Sequence, residues 1–345
     1  PPSAKLTRAL TVLEPGEEWL LEPQPGEHPQ LWSPGIKLGV QPDTFFHQTE
    51  CFGPVLGLMR AENLDAAIDL ANRVAFGLTG GIHSLDAREI AHWKARLQAG
   101  NLYVNRHITG AIVQRQPFGG WKASAVGSGA KAGGPNYVLQ LAHWHQIGLP
   151  AHRTEMPHNL APLLSRCLNQ VPDVAGINLL RASAESYVWY WQTYFSQEHD
   201  PSHLPGESNV LRYQPCQGLI LRLPDDPDPV SVAQVILAVR TTGQPLTVSL
   251  ASADSGWSWL AHKEGISVAI EDESGLAARL QETPTYDRLR LLCPASEALR
   301  RVANKAGISV IDAPALANGR LELRHYLREQ AISHTMHRYG NILSD

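Results

Sequence analysis

From residue 54 to residue 105 the apolar positions switch repeatedly between two periods. Residues 54–60 (PVLGLMR) form a short apolar run that predicts a buried strand. Residues 63–76 follow with Leu64, Ala67, Ile68 and Ala71 at i, i+3, i+4 and i+7, one face of a helix, and Gly77 stands where a C-terminal glycine cap belongs. Residues 78–85 return to a strand. The next helix has a marked start: Asp86 suits the N-cap, Glu89 can bond back to it, and Leu85 and Ile90 flank the pair as a hydrophobic staple. Gly100 is expected to close that helix, and residues 101–105 and 137–147 read as strands.

Residues 148–162 carry three prolines and little periodicity, which predicts a linker and places a domain boundary near residue 150, between segments 1–150 and 151–345. A helical stretch over 163–195 leads into strict alternation. Strands are expected at 219–223, 246–250, 266–270, 288–292 and 308–311. The first helix between them is capped by Asp228, has Pro229 in its first turn, aligns Val232, Val235, Ile236 and Val239 on one face, and ends at Gly243. Strands alternating with helices predict an α/β fold with a parallel, doubly wound sheet.

Composition changes this picture little. The 345 residues are 43% hydrophobic and 18% charged, enough for two domains, and the net charge of −4 gives no footprint for nucleic acid or an anionic membrane. The apolar run 235–239 is far too short to span a bilayer. Cys51, Cys167, Cys216 and Cys293 are scattered, so reduced thiols in a cytoplasmic compartment are expected. The start, Pro1-Pro2-Ser3 without Met and followed by Lys5 and Arg8, shows no secretory signal and suggests a fragment. His143 and His145 would share a strand face, and His334 and His337 a helix face, but no further ligand completes either pair, so no metal site is expected.

Three clusters carry chemistry: residues 49–55 (TECFGPV), residues 100–113 (GNLYVNRHITGAIV) and residues 116–124 (QPFGGWKAS), the last followed by Gly127 and Gly129. Each is weak alone. In this order they resemble the C-terminal half of the aldehyde dehydrogenase superfamily, and residues 100–137 resemble its subgroup that oxidises L-glutamate γ-semialdehyde (the open form of 1-pyrroline-5-carboxylate) to glutamate with NAD. The resemblance implies that Glu50 accepts hydrogen bonds from the nicotinamide ribose, where a carboxylate offers two acceptor oxygens to a vicinal diol. It places Phe52 beside the nicotinamide ring. It gives the substrate's α-carboxylate to the backbone of Gly110 and Ala111, and the aliphatic chain to Phe118; Asn105 would tie the loop in place. Glycine suits such a loop because it admits close approach and positive φ. The family's nucleophilic cysteine, oxyanion-hole asparagine and general base lie upstream of anything matched here, so no catalytic residue is assigned and the chain alone is expected to be inactive. Cys51 reads as a buried, inert thiol. Lys122 and Lys131 can serve a phosphate or simply be solvated.

Residues 160–345 resemble the extra C-terminal region of long bacterial proline-catabolic enzymes of the proline utilization A type, in which an FAD-dependent proline dehydrogenase can share the chain. That region is Rossmann-like without catalytic apparatus. The match rests on residues 209–213 (NVLRY) and on the tail from Asn318 to Asn341. The tail is expected to dock on the dehydrogenase segment and help close its site, and residues 137–147, which resemble an intersubunit strand, imply a homo-oligomer. The competing expectation is a non-catalytic module for assembly or channelling.

Overall fold

The computed structural model describes residues 2–110, 112–282, 286–338 and 341–342. Ala111 therefore lies outside the described residues. The chain divides into two compact units, Pro1–Gly77 with Ile82–Gln98, and Leu78–Gly81 with Ala99–Asp345.

In the first unit, helix α1 (Ala4–Thr11) precedes a three-stranded sheet of β1 (Glu18–Leu21), β2 (Gly35–Leu38) and β3 (Val55–Gly57). β1 runs antiparallel and β3 parallel to β2. The strand expected over 54–60 shrinks to three residues and is not buried: β3 is an edge strand and Leu56 is 55% exposed. Helix α2 (Leu64–Asn72) starts where the pattern placed it, with the Asn63 side chain accepting the Ala66 N–H at 2.9 Å. It stops before Gly77, which lies in the short strand Phe76–Gly77 and caps nothing. Asn72 instead closes both helix ends, donating to Arg96 O at 3.0 Å and accepting from Gln98 N at 2.8 Å. Helix α3 (Ala87–Arg96) is capped by Asp86, which accepts the Arg88 N–H. The Glu89 carboxylate accepts from the Ser84 hydroxyl at 2.6 Å, and Ser84 Oγ accepts the Asp86 N–H. The staple does not form, because Leu85 is exposed while Ile90 is buried.

The second unit holds two larger sheets. The first is all parallel, ordered β9-β8-β7-β10-β11, from β7 (Leu219–Arg222), β8 (Leu246–Leu250), β9 (Ser267–Ile270), β10 (Arg288–Leu291) and β11 (Ser309–Ile311). Helices cover both faces. Leu219 and Leu221 pack with Val232, Val235, Ile236 and Val239 of α6 (Pro229–Thr242), itself preceded by α4 (Ala161–Leu168) and α5 (Val174–Tyr190). Ile220 and Leu289 pack against α8 (Glu273–Glu282) and α9 (Glu297–Lys305) on the other face, and α7 (Trp259–Glu264) joins β8 to β9. Each fully buried branched side chain contributes about 1.5–3 kcal/mol of transfer free energy. The expected caps of α6 are present: Asp228 accepts the Ser231 N–H at 2.9 Å, and Gly243 sits at φ 77°.

The second sheet is mixed, ordered β4-β5-β12-β6, from β4 (Thr79–Ile82), β5 (Asn101–Val104), β6 (Glu207–Pro215) and β12 (Leu327–Thr335). β12 runs parallel to β5, Ala331 opposite Asn101, and antiparallel to β6, Leu327 opposite Pro215 through Thr335 opposite Glu207. This pairing is why the compact units do not divide near residue 150: the chain's tail fills a place beside β5. It also puts His334 on a strand and His337 in the short strand His337–Arg338, so the helical spacing expected of them does not apply. Residues 137–147 form no strand. A 3₁₀ turn spans Val138–Leu141 and leaves Val138, Leu141 and Ile147 exposed, because among the described residues nothing pairs with that backbone.

Gly100 does not end a helix. A Cβ there would stand 2.0 Å from Gly119 O, so glycine is required by the approach of two backbones.

Candidate functional site

β5 delivers the loop predicted to take the substrate. All four of its residues are buried, and the Tyr103 hydroxyl donates to Gly110 O at 3.0 Å. Burial pushes the Tyr103 phenol above its ordinary range, so it remains a donor. Asn105 (φ 56°), Gly110 (φ 105°) and Gln114 (φ 63°) turn the chain through the left-handed region. Ile112 and Gln116 then exchange backbone hydrogen bonds, as do Phe118 and Ala132. A Cβ built on Gly110 meets nothing within 4 Å, so that side of the residue is open. Phe118 is half-buried in the second of these bridges.

The loop is braced by charge. Arg115 bonds Glu207 of β6, and Arg106 lies 3.7 Å from the same carboxylate while donating to Ser333 Oγ at 2.6 Å. Burial raises the Glu207 carboxyl, but hydrogen bonds from Arg115 and Asn209 more than offset it and hold the group below its ordinary range. Ser333 in turn donates to Asn209 Oδ1 at 2.6 Å.

Behind the loop Lys131 and Glu329 are buried side by side, joined through the Lys131 backbone. Lys131 is fully buried; its ammonium donates to Gly119 O, and its backbone N–H to Glu329 Oε2 at 2.9 Å. Asn136 donates to Glu329 Oε1 at 2.7 Å, and Trp121 Nε1 to Glu329 O at 2.8 Å. Burial, opposed by Glu329, brings the Lys131 ammonium down to about 7, and burial raises the Glu329 carboxyl. Lys131 is therefore an anchor of the glycine-rich segment to β12 and has no exposed face for a phosphate.

In the first unit, the segment after the short helix Phe45–Gln48 alternates sides. Glu50 is exposed, Cys51 is buried, and Phe52 is 84% exposed. Phe52 adopts φ 58°, a conformation costing an L-residue about 1–2 kcal/mol. A phenyl ring held that far out makes little packing contribution and is available to a flat partner. A Cβ on Gly53 would lie 2.2 Å from the Leu6 side chain, which would have to shift to admit it.

None of the four cysteines is a primed nucleophile. Burial raises the thiols of Cys51 and Cys293 and pushes those of Cys167 and Cys216 up to about 12. His143 and His145 are exposed, and among the described residues no three His, Cys, Asp or Glu side chains gather at metal-binding distance. The parallel sheet's crevice, where strand order reverses between β7 and β10, is the usual dinucleotide position. Here β7 is followed by Leu223-Pro224-Asp225-Asp226, without a glycine turn to cradle a pyrophosphate and with two carboxylates to repel one.

The structure thus keeps Gly110 and Phe118 on one braced loop. Tyr103, Glu207 and the Lys131–Glu329 pair escaped the sequence. Tyr103 stood inside the quoted motif as a plain strand residue, and Glu207 and Glu329 have partners roughly 90 to 200 positions away, which leave no local signal.

The Aldehyde dehydrogenase family matches residues 7–147. The 1-pyrroline-5-carboxylate dehydrogenase 1 of Halalkalibacterium halodurans is 42% identical over 105 residues, 30% of this chain and 20% of its own length. The Bifunctional protein PutA of Rhizobium meliloti is 49% identical over 96 residues, 27% of this chain and 8% of that protein. Among solved structures, Proline Utilization A (PutA) from Corynebacterium freiburgense matches 99% of this chain and 32% of its own, at 40% identity and a TM-score of 0.81. The chain thus spans 20% of the first of these relatives and 32% of the solved structure.

Proposed function

We propose that the chain, whose residues 7–147 match the Aldehyde dehydrogenase family, is the C-terminal portion of an NAD-dependent enzyme oxidising L-glutamate γ-semialdehyde to L-glutamate in proline breakdown, in a cytoplasmic compartment. The observation that carries the reading is the Gly110 loop: positive φ, an open side at Gly110, and a carbonyl pinned by Tyr103. Such a loop presents N–H groups to an anion, and the substrate's α-carboxylate is that anion. Gly110 and Ala111 would hold it, and Phe118 would pack along the aliphatic chain. Arg106 and Arg115 share Glu207, so the loop does not compete with a bare guanidinium for the carboxylate.

Glu50 and Phe52 fit an NAD site, since both project from the surface and only Cys51 between them is buried. Bound NAD would accept the hydride. Glu50 would fix its ribose diol through two acceptor oxygens and Phe52 would face the nicotinamide. The thiolate that attacks the aldehyde is assigned outside these 345 residues, because burial keeps all four thiols protonated. For residues 160–345 we propose an assembly role, with β12 completing the sheet behind the substrate loop, the tail helping to close the site, and a proline dehydrogenase domain with FAD, together with a homo-oligomeric state, in the parent protein.

The test compares NADH formation from 1-pyrroline-5-carboxylate by the full-length parent and by the 345-residue chain. Turnover by the parent and none by the chain is expected; turnover by the purified chain would place the nucleophile among Cys51, Cys167, Cys216 and Cys293 and refute the assignment.

A further inference from the structure

A cavity of about 570 Å³ opens between the glycine-rich segment 120–129 and the edge formed by β10, α9 and β11, away from the Gly110 loop. Lys122, Arg288, Arg300 and Arg328 line it against one carboxylate, Asp287. Arg300 and Arg288 each have partners. Arg300 pairs with Asp312 at 2.8 Å, and Arg288 donates to the carbonyls of Ser128 and Asp287, each at 2.9 Å, which position it without neutralising it.

Arg328 is the unexplained group. Its guanidinium lies 4.2 Å over the Trp121 ring, and its side chain is only 14% exposed. Asp287 Oδ2 stands 3.8 Å away, beyond hydrogen-bond reach, and Nε is buried without an acceptor. Among the described residues the guanidinium donates no hydrogen bond. Asp287 and the Trp121 ring offset its charge, but a buried N–H without an acceptor is uncommon. Arg328 lines the cavity, from which an acceptor could arrive. On its opposite wall, Gly127 and Gly129 adopt positive φ, and a Cβ on Gly127 would meet nothing within 4 Å. The N–H groups of Val126, Gly127 and Ser128 find no acceptor among the described residues. Backbone of this kind forms anion-binding concavities.

We propose that this cavity is a binding site for a small organic phosphate, with Arg328 as its principal partner, Arg288 and Lys122 beside it, and the 126–128 backbone opposite. A phosphate suits it better than a carboxylate because a guanidinium fork meets two of its oxygens and a third remains for the backbone N–H groups. The volume is in the range of small-ligand pockets and exceeds what a single inorganic ion fills. The site is independent of the proposed dehydrogenase chemistry and stands or falls without it.

The experiment is calorimetric titration of the intact protein with pyrophosphate, ADP and citrate at fixed ionic strength. Saturable one-site binding of pyrophosphate or ADP is expected, with citrate weaker. Arg328→Gln should weaken it by about tenfold or more, the scale of a lost charge-assisted pair. Because Arg328 lies in β12, Arg300→Gln on α9 serves as a second variant and should weaken binding about threefold, as the loss of a partly engaged charge. Arg301→Gln, on an exposed residue paired with Glu297, should bind as the wild type. No heat beyond that of chloride, unchanged affinity in both cavity variants, or citrate binding tighter than pyrophosphate would overturn the proposal.

Discussion

In the parallel sheet, β7, β8 and β10 bury Leu219, Val248 and Leu289 completely; in the mixed sheet, β12 buries Glu329, Gln330 and Ser333. Both sheets belong to one compact unit and both are covered on their faces. The first is held mainly by apolar surface withdrawn from water, with one fully buried ion pair, Arg290 of β10 with Glu322 at 3.3 Å, added to it. The second is held by named partners: Glu329 with Lys131 and Asn136, Gln330 with Arg212 and Ala99 O, Ser333 with Asn209 and Arg106. A one-residue slip of β12 would break every one of these bonds, whereas a slip of β7, whose Leu219, Ile220 and Leu221 are all buried, trades one hydrophobe for another. Polar burial therefore fixes the register of β12, and β12 pairs with β5, from which the Gly110 loop emerges.

This contrast can be broken at several points. The largest effect is expected from Glu329→Ala, which removes the acceptor of Lys131 N–H and Asn136 and the negative charge that opposes desolvation of the Lys131 ammonium, and should cost about 3–5 kcal/mol in urea denaturation. The double change Lys131→Met with Glu329→Leu should recover most of that loss; failure to recover would mean the pair is not the source. Leu221→Ala in the parallel sheet should cost about 3 kcal/mol through its cavity, and no second polar substitution should restore it.

A smaller effect separates the sheets by pH. Burial lowers the Lys131 ammonium to about 7 from its ordinary 10.5. Between these values the unfolded chain binds more protons than the folded one, so stability contributed at this site rises with pH across that window. The urea midpoint of the wild type should climb from pH 7 to pH 9 relative to that of Lys131→Met, while Leu221→Ala keeps the wild-type dependence. Parallel pH curves for wild type and Lys131→Met would contradict the assignment. The smallest change is Gly243→Ala: φ is 77° but the space is open, so about 1 kcal/mol of backbone strain is expected and nothing more.

The parallel sheet was legible along the chain because each strand carries its own apolar run, and all five appear within a residue of their expected bounds. The helix caps at Asp86 and Asp228 were equally local, whereas the Asn63 cap was passed over as the first helical residue. β12 was not legible as a strand, because residues 327–335 (LREQAISHT) show no alternation until Glu329 and Ser333 meet partners far along the chain. Residues 137–147 erred the other way: an apolar, strand-like string that finds no ladder. At the site, Gly110 and Phe118 were visible through a family's motif order. Their support by Tyr103 and Glu207 came from tertiary contact alone. Gly100 was assigned to a helix end for want of any sign that Gly119 O would approach it.

The central claim is that the Gly110 backbone selects the substrate by its α-carboxylate. It is tested most directly in the full-length parent by comparing kcat/KM for glutamate γ-semialdehyde and for butyraldehyde, which lacks that carboxylate, before and after Gly110→Ala. At φ 105° an alanine is strained and the loop backbone must move. The account predicts that preference for the carboxylated aldehyde falls by about tenfold or more, carried by KM, with butyraldehyde oxidation little changed. Equal loss on both aldehydes, or an unchanged ratio, would contradict it.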